Sequence, residues 1–117
     1  MRYPMPSPLV FFQIAVADLP EARKFYEHVF DWKVGEDGFI NPDDPADFDV
    51  RGSFRPAKSG APTSVVPWFR VEDLWTAFEC VKEAGGEVLV EIRQDHLGRH
   101  VCIVRAPDGL TMGIVQA

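Results

Sequence analysis

Cysteine is scarce in this chain: Cys80 and Cys102 are the only two in 117 residues, and they do not stand at Cys-x-x-Cys spacing. That excludes a disulfide framework and a dithiol redox motif. Both thiols fall inside apolar patterns, where a free cysteine behaves as a small core residue. Basic runs are missing too. Twelve Lys and Arg against eighteen Asp and Glu leave a net charge of -6, which argues against a nucleic-acid partner. No apolar stretch approaches the roughly 20 residues of a membrane span, and the opening MRYPMPSPLVFF lacks the apolar run of a secretory signal. A cytoplasmic protein without membrane contacts is expected. An apolar fraction of 46% and a charged fraction of 26% place the chain among ordinary globular domains, long enough to bury a core unaided.

What is present is a patterned chain. LVFFQIAV, Leu9 to Val16, is apolar and β-branched and predicts a buried strand. Asp18 predicts a helix N-cap, with Pro20 in the first turn and Glu21 completing a capping-box pattern. Ala22, Phe25, Tyr26, Val29 and Phe30 follow at helical spacing as one apolar face. WKVGEDGFI predicts a strand, a Gly turn and the start of another strand. NPDDPADFD, Asn41 to Asp49, is a loop, and VRGSFRP, Val50 to Pro56, a short strand.

The order then repeats. SVVPWFRV, Ser64 to Val71, predicts a strand and Asp73 a second N-cap. Leu74, Ala77, Phe78, Val81 and Ala84 form the helix face, which Gly85-Gly86 ends. EVLVEIR follows as a strand, QDHLGR as a loop. HVCIVR and LTMGIVQ pair around the turn APDG. Aligning the two cap aspartates gives an offset of 55 residues, at which Leu19 meets Leu74 and Ala22 meets Ala77. Each half reads strand, helix, then up to three strands, and neither half buries its sheet face alone. The expected organisation is one α+β domain: module one about 9–57, a linker about 58–62, module two about 63–117.

The stretches VADLPEARKFYEHVFDW, VEDLWTAFECVKEAGG and RAPDGLTMGIV resemble the vicinal oxygen chelate superfamily of glyoxalases, bleomycin-resistance proteins, extradiol dioxygenases and methylmalonyl-CoA epimerases. FRP, Phe54 to Pro56, is similar to its glyoxalase-like subgroup, to which no single reaction is attached. The resemblance implies two tandem βαβββ modules curled into a half-open barrel around a small-molecule site, and often a homodimer. It also implies a divalent metal held by a His early in a module's first strand and a Glu in its last. Those positions fall at or near Phe11, Val66, Gly113 and Gly52, none of which can coordinate a cation. No metal and no other cofactor is therefore expected. His28 reads as a solvated helix residue and His96 as a loop residue. Asp43, Asp44, Asp47 and Asp49 lack the ligand spacing of a calcium loop.

If the family register holds, the concave face carries Phe11, Gln13 and Ala15 from the first strand and Val66, Trp68 and Arg70 from the strand opening module two. Near them come Gly52, Phe54, Thr111, Gly113 and Val115, the two glycines leaving room. His100 points either into this site or to an edge. Aromatic walls and a few polar groups suit a flat ligand with one anionic or carbonyl group, although Phe11, Phe54 and Trp68 could equally fill a core. Two functions compete. One is metal-free binding or sequestration of a small aromatic or carbonyl-bearing molecule. The other is a cofactor-free isomerase, cyclase or lyase using His100 or Arg70 for proton transfer or oxyanion stabilisation. A metalloenzyme with displaced ligands is a third, weaker reading. Trp32, Trp75 and Phe48 are candidates to face a second copy.

Overall fold

The computed structural model describes residues 6–42, 50–58 and 64–117. Six strands and two helices make an α+β chain in the order β1 (Leu9–Val16), α1 (Leu19–Phe30), β2 (Arg51–Pro56), β3 (Ser64–Val71), α2 (Leu74–Glu83), β4 (Glu87–Gln94), β5 (His100–Arg105) and β6 (Thr111–Gln116). Two compact units divide it: Phe11–Val66, and Pro67–Ala117 with the residues up to Val10. Asp43, Asp44, Asp47, Phe48 and Asp49, and the connector between Lys58 and Ser64, lie outside the described residues.

In the unit Phe11–Val66, β1 and β2 pair in parallel, with Phe12 opposite Gly52 and Ile14 opposite Phe54. That shared face is the core. Ile14, Val16, Val34, Ile40 and Phe54 are buried there, with Leu19, Ala22 and Tyr26 of α1 and Trp32 packed on them. The helix begins where Asp18 accepts the Glu21 N–H at 3.1 Å. Its packed stripe is narrower than the sequence pattern suggests: Phe25, Val29 and Phe30 remain 57%, 51% and 54% exposed. Trp32, one of the candidates to face a second copy, stacks on Tyr26 with ring centroids 5.3 Å apart. WKVGEDGFI forms only the isolated bridges Val34–Ile40 and Phe39–Ser53 rather than full strands. Gly38, at φ 87°, lets the turn approach β2 closely enough for its carbonyl to accept the Phe54 N–H at 2.7 Å.

In the other unit the strands lie in the order β3-β6-β5-β4. β3 and β6 are parallel, while β6, β5 and β4 are antiparallel. Leu74 of α2 and Cys102, Val104 and Ile114 of the strands form the unit's buried core, joined by Phe78, Val81, Ile92 and Met112. Burial pushes the Cys102 thiol above its ordinary pKa, and the nearby Glu91 charge adds to the effect. Cys80 departs from the core expectation: it lies exposed on α2. Asp73 caps α2 by accepting from the N–H groups of Trp75 and Thr76 and from the Thr76 hydroxyl. Gln116 reaches back from β6, accepting the Leu74 N–H at 2.7 Å and donating to the Glu72 carbonyl.

The two units repeat each other in detail. The caps Asp18 and Asp73 have φ/ψ of -137°/100° and -137°/101°. Gln13 is opposite Ser53 as Trp68 is opposite Gly113. Ala57 donates to the Val16 carbonyl as Ala117 donates to that of Val71, each at 2.8 Å.

Candidate functional site

In the unit containing α2, side chains that alternate with the helix-facing core point to the opposite face. Strand register arranges them in rows. Trp68 lies opposite Gly113, which lies opposite Ile103, itself paired with Val90. The neighbouring row runs Arg70, Val115, Val101, Arg93. A third joins Thr111 to Arg105 and Arg105 to Glu87, where the Arg105 Nη1–Glu87 Oε1 pair measures 3.0 Å. Trp68, Arg70, Thr111, Gly113 and Val115 thus share one face, as the alternation predicts. Val66, two residues before Trp68 on β3, is buried. The space at Gly113 is taken, however: the Trp68 ring lies where a Cβ would project, so this glycine seats an indole rather than leaving room.

In the unit Phe11–Val66 the site expectation needs correction. Phe11, Gln13 and Ala15 do share the face away from α1, but Gly52 and Phe54 do not. Register places Gly52 beside Phe12 and Phe54 beside Ile14, both toward the helix. The Phe12 ring fills the position above Gly52, and Phe54 is 3% exposed against Tyr26 and Trp32. The residues that accompany Phe11, Gln13 and Ala15 are Arg51, Ser53 and Arg55. Phe39 joins them, its ring centroid 6.1 Å from that of Phe11. The true counterpart of Gly113 is therefore Ser53, one residue from Gly52. A slip of one residue changes the face.

His100 is on the other side of its sheet from Arg70. It pairs with Gln94, shares the α2 face with Cys102, and sits 5.0 Å from the Trp75 ring. Trp75 itself is 51% exposed. His28 and His96 are both exposed. The QDHLGR loop is organised by Asp95, which accepts from the Leu97 and Arg99 N–H groups and from Arg99 Nε, each at 2.9 Å. Burial would raise its carboxyl, but these donors and the Arg99 charge outweigh that and hold it below its ordinary value.

The divalent metal that the resemblance implies does not fit these residues. Phe11, Val66 and Gly113 offer no donor atoms, and the register replaces Gly52 by the Ser53 hydroxyl rather than by a carboxylate. Among the described residues no group of three His, Cys, Asp or Glu side chains is placed to hold a metal ion. No helix among them is long and apolar enough to cross a membrane.

Residues 9–114 match the family model of the Glyoxalase/Bleomycin resistance protein/Dioxygenase superfamily. No curated protein matches the chain by sequence. Among solved structures it is similar to a hypothetical protein from Bacillus halodurans C-125, with 14% identity over 97% of this chain and 96% of that one and a TM-score of 0.68. A superfamily member from Vibrio splendidus 12B01 shows 15% identity, coverage of 95% and 98%, and a TM-score of 0.67. A Streptomyces coelicolor methylmalonyl-CoA epimerase in complex with 2-nitronate-propionyl-CoA shows 18% identity, coverage of 93% and 96%, and a TM-score of 0.61. At these identities the structures share a fold. The match over residues 9–114 goes further, and on it the chain belongs to the glyoxalase/bleomycin resistance protein/dioxygenase superfamily.

Proposed function

We propose that the protein is a cytoplasmic, metal-independent member of its superfamily that binds a small aromatic or carbonyl-bearing anion on the face away from α2. The supporting observation is the pairing of Trp68 and Arg70 on one strand face. The indole is seated on Gly113, and Arg70, two residues further, is exposed with no ion-pair partner among the described residues. A flat ring against the indole and an acidic or carbonyl oxygen on the guanidinium use both groups together. Phe11, Gln13 and Ser53 supply a comparable aromatic and polar set in the unit Phe11–Val66. No observation favours catalysis by His100 with Arg70, since the two occupy opposite faces.

Titration calorimetry of tag-free protein with 2-naphthoate tests the reading. Binding is expected without added metal and in the presence of EDTA. R70Q is expected to weaken it by about 1.5–3 kcal/mol, the worth of a hydrogen bond to a charged group. Binding that requires a divalent cation, or that R70Q leaves unchanged, would overturn it. Homodimerisation belongs to the same reading, and the exposed Phe25, Val29 and Phe30 of α1 are its candidate contact.

A further inference from the structure

The charged residues of the strands are sorted by face. Every basic strand residue other than His100 is an arginine: Arg51, Arg55, Arg70, Arg93 and Arg105, with no lysine among them. All five lie away from the helices, by the register of each strand pair. The strands carry two carboxylates. Glu87 is taken by Arg105, and the exposed Glu91 forms no ion pair with a strand arginine among the described residues. In a chain of net charge -6, this leaves Arg70 and Arg93 without an ion-pair partner among the described residues.

Two of them occupy one row. Arg70 and Arg93 end the line Arg70–Val115–Val101–Arg93, which crosses β3, β6, β5 and β4. Both are exposed, and neither has an ion-pair partner among the described residues. Between them Val115 and Val101 are 9% and 4% exposed, so the row is apolar in the middle and cationic at both ends. Three strand spacings separate the two arginine backbones by about 14 Å.

β4 carries two register shifts against β5, one between Val88 and Val90 and one between Val90 and Arg93. From Val90 to Arg93 is three residues, whereas their partners Ile103 and Val101 are two apart. Ile92 stays in the core under α2 while Arg93 lies opposite Val101. The first shift, between Val88 and Val90, offsets this one, so Arg93 keeps the face that alternation from Glu87 gives it.

We infer that the ligand of this face carries two separated anionic groups, one read by Arg70 and the other by Arg93, on a flat apolar body that lies along the Trp68 row. This rests on the binding reading above and narrows it from one negative group to two. Arginine suits the task, because its planar fork engages carboxylate or phosphate oxygens in pairs. At about 14 Å the two cations are screened from each other in physiological salt, so the unliganded face is tolerated.

Naphthalene-2,6-dicarboxylate and 2-naphthoate share one ring system and differ by one carboxylate. Calorimetric titration of both into the full chain, R70Q and R93Q is the test, with circular dichroism confirming that the variants fold. The dicarboxylate is expected to bind at least about tenfold tighter than 2-naphthoate. R93Q should erase that advantage, and R70Q should weaken both. Equal affinity of the two probes for the full chain would overturn the inference and leave the single-anion reading standing. So would an R93Q variant that keeps the advantage. Failure of both probes to bind the full chain would remove the two readings together.

Discussion

At Gly113 and at Gly52 an aromatic ring occupies the place a side chain would fill, Trp68 in one case and Phe12 in the other. Both pairs are directly opposed across a parallel strand pair. A glycine weakens a strand by itself, and a ring folded over it restores the lost contacts. Phe12 turns into the core under α1 and Trp68 away from α2, so only the second bears on the proposed binding. Ala at position 113 would put its Cβ inside contact distance of the indole. G113A is therefore expected to destabilise the fold by about 1–3 kcal/mol, as overpacking does. In a W68V background the same change should cost little, because the smaller side chain leaves the Cβ its space. A double-mutant cycle from chemical denaturation reads the coupling directly. Additive effects would mean that the indole does not rest on Gly113.

The elements differ in how firmly they are started. Asp73 satisfies two N–H groups and a hydroxyl, whereas Asp18 satisfies the single N–H of Glu21. The cause is Pro20, which stands where α2 has Trp75 and has no N–H to donate. D73A is expected to lower the Tm by a few degrees and D18A by less. The Thr76 hydroxyl first, then the Thr76 and Trp75 N–H groups, hold the Asp73 carboxyl below its ordinary value of 3.8. A depressed carboxyl stabilises the fold above that ordinary value and loses its effect as pH falls through the lowered one. The Tm gap between wild type and D73A should thus be full at pH 7 and close in strongly acid solution. A gap constant with pH would assign the effect to something other than the charged cap. Both caps were legible in the sequence, as were the spans of β1, β3 and β5 and the stop at Gly85-Gly86. The end of α1 was not, because Asp31 rather than a glycine takes the left-handed conformation there, at φ 58°. Nor was the face of β2: counting from motifs locates a strand residue to within one position, and one position is the whole difference between Gly52 and Ser53. The two register shifts of β4 leave no mark in EVLVEIRQ, since they are set by pairing with β5, but they cancel and leave Arg93 on the face that alternation from Glu87 gives it.

For the whole molecule, the distribution of charge decides more than its total. The net charge of -6 would ordinarily suit cations, and the acidic stretch from Asp43 to Asp49 would suit a hard one. The strand faces away from the helices carry the opposite sign. Arg51 and Arg55 lie on that face in one unit, and Arg70 and Arg93 in the other. A divalent ion on either face would meet guanidinium groups, and the positions at which the resemblance implies metal ligands, Phe11, Val66, Ser53 and Gly113, offer no carboxylate or imidazole. Inductively coupled plasma mass spectrometry of protein purified without a His-tag is expected to find transition metal well below one equivalent per chain. EDTA and added manganese should each leave the Tm unchanged, because an ion bound only to the native state would raise it with concentration. A stoichiometric metal would overturn the metal-independent reading. Replacing Asp43, Asp44, Asp47 and Asp49 by Asn would then locate it: loss of the ion would assign it to the acidic stretch, and retention would require donors that the strand faces do not present.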